Sequence, residues 1–162
     1  MVIRNIREAG LSLIELMITI TILAILVVSG TALTGQWSRQ TELDKASMAL
    51  NSAMGLAKAT AIRNEFAQTA DASASQICFD ANAKVLEVHK ASATQAASCS
   101  NTVVFSYPLS QSIEIKNVDT TSFKCFSFNH FGQVATEITG NCKKNLTLTL
   151  SNGTLNESLT FN

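Results

Sequence analysis

The chain has 162 residues, and its 12 basic and 12 acidic side chains cancel, leaving no basic excess for a polyanion such as nucleic acid to meet. That length holds one folded domain of roughly 100 to 130 residues beyond any hydrophobic segment and excludes two. The only histidines, His89 and His130, belong to no metal-binding spacing, and no cysteine pair is spaced C-x-x-C, which argues against a histidine-based enzyme, a zinc site and thioredoxin-like chemistry.

Residues 1–10 form a short leader carrying Arg4, Arg7 and Glu8. From Leu11 the sequence is apolar through Val28 and weakens from Ser29 to Leu33. About 20 helical residues, at roughly 1.5 Å each, cover the ~30 Å hydrocarbon core of a bilayer. Residues 11–33 therefore predict a membrane-spanning helix half. Arg4 and Arg7 precede it, whereas Arg39 beyond it is soon followed by Glu42 and Asp44, an asymmetry that places the amino terminus in the cytoplasm. A cleavable secretory signal is the competing expectation, but its apolar region typically has about 7 to 15 residues. Cleavage of that kind would start the mature chain near Thr31 or Ala32.

Glu15 is the single charge in the run. An acidic side chain at the centre of a spanning helix costs about 2.5 to 3.5 kcal/mol. One turn inside the helix start, it can snorkel to the headgroups. The alternative is a cationic partner in a neighbouring chain, for which a free amine at Leu11 is suited.

Gly30 and Gly35 each cost about 1 kcal/mol in a helix relative to alanine, which predicts a pliable joint. Trp37 follows, either as an aromatic anchor at the outer interface or as a packing residue. Residues 34–66 predict an amphipathic helix half. Leu43, Ser47, Leu50, Met54, Ala57 and Ala61 recur at helical spacing, with Ala46, Ala53 and Ile62 alongside.

Residues 67–162 predict a β-rich globular domain. Ile77 to Phe79 and Val85 to Val88 flank a turn at Asp80 to Ala83. The stretch from Ala91 to Ser100 is a surface loop tied by Cys99. Thr102 to Tyr107, Ser112 to Val118 and Lys124 to Phe128 are further strands, with Phe123, Phe126, Phe128 and Phe131 supplying aromatic core volume. Leu146, Leu148 and Leu150 alternate with polar residues ahead of a hairpin turn at Asn152-Gly153. Leu155, Leu159 and Phe161 return, with an irregularity expected after Leu155.

Cys78, Cys99, Cys125 and Cys142 are even in number and lie outside the span, which suits disulfides in an oxidising compartment. Three connectivities are possible. The sequential one closes two loops of about 20 residues, each worth roughly 3 kcal/mol in the chain-entropy model, and a Cys78–Cys142 peptide would overturn it.

Gly10, Leu11, Ser12, Leu13, Ile14, Glu15, Leu16, Met17 and Ile18 resemble the class III signal of type IV pilins and pseudopilins, G-F-T-L-I-E-L-M-I, with leucine for the usual phenylalanine. The resemblance implies that a prepilin peptidase cuts after Gly10, that Leu11 becomes the N-methylated first residue, and that Glu15 serves assembly. It also implies the type IV pilin-like α+β fold, in which one helix about 80 Å long packs its second half on an antiparallel β-sheet domain. The implied setting is the bacterial inner membrane with the globular domain in the periplasm. The implied partners are that membrane, the peptidase and other major and minor pilins or pseudopilins, with no cofactor, no metal and no enzymatic activity.

Leu56, Ala57, Ala61, Ile62, Arg63 and Asn64, with Lys58 for an arginine, resemble the helix end of the GspH, FimT and FimU minor pilins. Phe128 to Gly132 is similar to their F-x-x-x-G turn. This implies a FimU-like minor pilin of a type IV pilus in a priming or tip complex, with a GspH-like pseudopilin of type II secretion as the alternative. A FimT-like DNA-uptake receptor would carry a basic G-R-x-R type motif. Here Gly153 is followed by Thr154, Leu155 and Asn156, and no lysine or arginine occurs after Lys144.

Overall fold

The computed structural model describes residues 12–69, 71–135, 142 and 147–161. Helix α1 spans Leu13–Arg63. Ser12 stands at its N-cap, where its carbonyl accepts the Leu16 amide at 3.1 Å. The element runs unbroken through Gly30 and Gly35, so the expected joint is not a break. It ends because Asn64 adopts a left-handed φ of 39°. The Asn64 side chain then accepts the Gln68 amide at 2.7 Å and donates to the Gln68 carbonyl at 3.1 Å.

The chain divides into two compact units, Met1–Ser38 and Arg39–Asn162. In the second, the helix buries Leu43, Ala46, Leu50, Ala53, Met54, Ala57 and Ala61. Alanine on this stripe lets backbone and sheet meet closely: the Ser75 hydroxyl donates to the Ala57 carbonyl at 2.7 Å. Ser47 also faces inward and donates to Glu157 Oε1 at 3.0 Å. Ile62, expected alongside the stripe, is instead 61% exposed, because one 100° step beyond Ala61 turns it off the buried face.

Seven strands follow: β1 (Ser75–Asp80), β2 (Val85–Lys90), β3 (Val103–Pro108), β4 (Ile113–Asn117), β5 (Cys125–Phe128), β6 (Thr147–Asn152) and β7 (Leu155–Thr160). They form a four-stranded sheet, ordered β3-β2-β1-β5, and a three-stranded sheet, ordered β4-β6-β7. Every pairing is antiparallel. The Lys84 ammonium reaches from the β1–β2 turn to the Ile113 carbonyl at 2.8 Å and ties the two sheets. Asp80 opens that turn by accepting the amides of Ala83 and Asn82, which hold its carboxyl below the usual carboxylate range.

The core between helix and sheets contains Phe123, Phe126, Phe128, Ile77, Leu86 and Leu150. Phe131 does not join it and is 61% exposed. The reason is the turn after β5. Asn129 Oδ1 accepts the amides of Phe131 and Gln133, and Gly132 takes φ 74° where a β-carbon would crowd Ile62, so Phe131 is rotated outward against His130.

The β6–β7 hairpin also departs from expectation. Asn152 pairs with Leu155, so the two-residue loop is Gly153-Thr154 and not Asn152-Gly153. Positive φ falls at Gly153 and not at Thr154, the type II′ pattern. Asn152 stays in the strand because its buried side chain is engaged, donating to the Arg39 carbonyl and to Glu42 Oε2, each at 3.0 Å. Ser112, then Asn152, hydrogen-bond the Glu42 carboxylate and hold its pKa below the ordinary range. The irregularity expected after Leu155 is absent, since β6 and β7 pair in register throughout. Glu157 simply occupies an inward position and is satisfied there by Ser47. The register shift lies elsewhere, between Val88 and His89 in the β2–β3 pairing.

Disulfides join Cys78 to Cys99 and Cys125 to Cys142. The loop after β2 is held a second time by Ala97, which is buried and whose amide donates to the Ser73 carbonyl at 2.7 Å.

Candidate functional site

Leucine and isoleucine dominate the first unit's helix, which leaves it without a polar face. Its most apolar 18-residue window has mean hydropathy 2.4, and none of that window is buried within the chain. Leu13, Ile14, Leu16, Met17, Ile18, Leu23 and Val28 are each more than half exposed. Such a surface is stable only against lipid or other apolar helices.

Three hydroxyls of this segment bond back to the helix's own carbonyls. Thr19 Oγ1 donates to the Leu16 carbonyl at 2.8 Å, Thr21 Oγ1 to Met17 at 2.7 Å, and Ser29 Oγ to Ile25 at 3.0 Å. These back-bonds hide the hydroxyls from an apolar surrounding. Glu15 has no such arrangement. It lies in the first helical turn, where an acidic side chain is favoured by the helix dipole, yet its carboxylate has no hydrogen bond or ion pair among the described residues. Ser12 and Glu15 also have the S-x-x-E spacing of a capping box. No side-chain bond between them is formed. The capping role is thus open in the sequence and unused in the structure.

Gly10 and Leu11, the expected cleavage and methylation positions, lie outside the described residues. So do Lys143 and Lys144. His89 is buried on β2, with Nδ1 2.9 Å from the Asn101 carbonyl and Nε2 3.3 Å from Glu87 Oε2 but outside hydrogen-bond geometry. His130 lies against Phe131 with ring centres 3.9 Å apart and planes tilted by 42°. Among the described residues no group of three or more histidine, cysteine, aspartate or glutamate side chains is placed to hold a metal ion. The four cysteines are gathered in one place in the second unit, and one residue that gathers them, Gln76, was not singled out by the sequence.

Residues 5–31 match the family model of the prokaryotic N-terminal methylation motif. The match covers the second half of the leader, Glu15 and the apolar stretch as far as residue 31, and it supports a type IV pilin-like protein. The α+β architecture, one long amino-terminal helix with antiparallel sheets, is of the type IV pilin-like kind. Searches of curated proteins and of solved structures find no match to the chain. The motif and the long apolar helix are together consistent with anchoring in the inner membrane.

Proposed function

We propose that this chain is a FimU-like minor pilin of a type IV pilus, acting in a priming or tip complex with other major and minor pilins. A prepilin peptidase cuts between Gly10 and Leu11 on the cytoplasmic side, and the new amino group of Leu11 is methylated. Residues 11–33 hold the chain in the inner membrane. Residues 34–66 carry the helix outward, and residues 67–162 form the periplasmic domain.

The observation that carries this reading is Glu15: a lone carboxylate, unpartnered among the described residues, on an exposed apolar helix inside the stretch that matches the methylation motif. When such helices pack, removal of water raises the cost of an unpaired carboxylate and strengthens its attraction to a cation. The amino group of Leu11 in a neighbouring chain is that cation, and a single methyl leaves it charged. The pairing also fixes the stagger between neighbours, since only one axial offset brings amine and carboxylate together.

Glu15→Ala tests it. The variant is expected to remain in the membrane fraction, because losing a charge favours insertion, while piliation falls severely. Normal filament number in that variant would refute the role of Glu15. Protein secretion, measured in the same strain, separates the pilus from a GspH-like pseudopilus: the pilin reading predicts that secretion is intact.

A further inference from the structure

The two disulfides are neighbours. Cys78 on β1 lies directly opposite Cys125 on β5, and each is bonded not to the other but to a residue outside the sheet. The Phe79 amide donates to the Lys124 carbonyl at 2.8 Å, so that pair is the hydrogen-bonded one and Cys78–Cys125 is the adjacent non-hydrogen-bonded one. At such pairs the α-carbons stand about 4.5 Å apart and the side chains approach most closely. That separation is within the range a disulfide bridges, about 4.4 to 6.8 Å.

Cys99 and Cys142 are also close. A single nitrogen, Gln76 Nε2, lies 3.2 Å from Cys99 Sγ, 3.3 Å from Cys142 Sγ and 3.7 Å from Cys78 Sγ. Gln76 is itself 1% exposed, on the same face of β1 as Cys78. Its amide is a donor to the sulfurs of both bridges. Cys78 and Cys125 are buried, whereas Cys99 is exposed and borders a groove of about 750 Å³ that also reaches Cys78, Cys125 and Gln76.

From this geometry we infer that the four cysteines form a thiol-exchange site, at which an external low-molecular thiolate interconverts the Cys78–Cys99, Cys125–Cys142 pairing with a Cys78–Cys125, Cys99–Cys142 pairing. The thiolate attacks the exposed Cys99 sulfur, forms a mixed disulfide there and releases Cys78 as thiolate. Cys78 attacks Cys125 across the strand pair, forms the Cys78–Cys125 bond and releases Cys142 as thiolate. Cys142 attacks Cys99, forms Cys99–Cys142 and expels the original thiolate. Two disulfides are present before and after, no net electrons are gained or lost, and the thiol is regenerated. The departing sulfurs of the first two steps, Cys78 and Cys142, are ones the Gln76 amide faces, and hydrogen bonding stabilises a thiolate. The outcome replaces two staples between sheet and loops by one within the sheet and one between Cys99 and Cys142.

The test uses the full chain in detergent micelles with reduced and oxidised glutathione at several ratios, quenched by alkylation and mapped by non-reducing digestion and mass spectrometry. Peptides joined by Cys78–Cys125 and by Cys99–Cys142 are expected together, from protein without free thiols. In parallel, the double variant Cys99→Ser/Cys142→Ser is expected to oxidise to one intramolecular Cys78–Cys125 disulfide. Recovery of only the original pairs at every ratio, or two unreacting free thiols in the double variant, would each overturn the exchange site.

Discussion

Leu23 and Leu50 belong to the same helix, yet Leu23 is 62% exposed and Leu50 is fully buried. The first unit's helix keeps its apolar residues on every side and bonds the hydroxyls of Thr19, Thr21 and Ser29 to its own carbonyls, while the second unit's helix segregates leucine and alanine onto one stripe against two sheets. One stretch of regular backbone therefore carries two solubility regimes. Stability of the folded domain resides in the second stretch, and the first is free to be selected for what it meets outside the chain.

The sharpest way to break this comparison is to make the same substitution in both halves. Leu50→Ala should destabilise the domain by about 2 to 5 kcal/mol, the range for a buried leucine, in thermal or urea unfolding of the detergent-solubilised chain. Leu23→Ala should change that unfolding by less than about 0.5 kcal/mol. Equal effects would mean that the two stretches share one core.

A smaller effect is expected where the second stretch is fastened at its start. Asn152→Ala removes the donor to the Arg39 carbonyl and to Glu42, and should cost about 1 to 3 kcal/mol in the same assay. The smallest is a pH effect. Glu42, Glu65, Asp80 and Glu114 all have lowered pKa values, through hydrogen bonds from Ser112, Lys90, Ala83 and Lys116 respectively. A carboxylate whose folded pKa is depressed stabilises the fold above its unfolded pKa, about 4.3 for glutamate, and loses that contribution as the pH falls through the folded value. Unfolding midpoints should thus drop below about pH 4. Glu42→Gln should flatten that slope slightly, and an unchanged slope would remove Glu42 from the account.

The stripe from Leu43 to Ala61 was legible because helical periodicity and burial are the same signal, and the strands around Ile77, Val85 and Ile113 were legible because alternation or apolar runs bounded by turn residues persist in the fold. Phe131 was not, since hydrophobicity cannot reveal that Asn129 and Gly132 turn it outward. Asn152-Gly153 is a strong turn signal taken over by tertiary structure: Asn152 gains more from Arg39 and Glu42 than from the turn. Glu157 looked like a fault in a strand because its partner, Ser47, is 110 residues away. Gln76, His89 and Ser127, buried polar residues in adjacent register on one sheet, carry no local pattern at all. At Glu15 the sequence left open a carboxylate that snorkels to the headgroups and one that meets a cation of a neighbouring chain, and within the chain no bond to Ser12 is formed.

The central claim is that the exposed apolar helix is a processed assembly element beginning at Leu11. Intact mass and amino-terminal sequencing of the chain extracted from membranes test it most directly. The account predicts a mature chain that starts at Leu11 and carries one methyl group on its amino terminus. A chain that retains Met1 to Gly10, or one that starts near Thr31 or Ala32 after removal of the apolar segment, would contradict it.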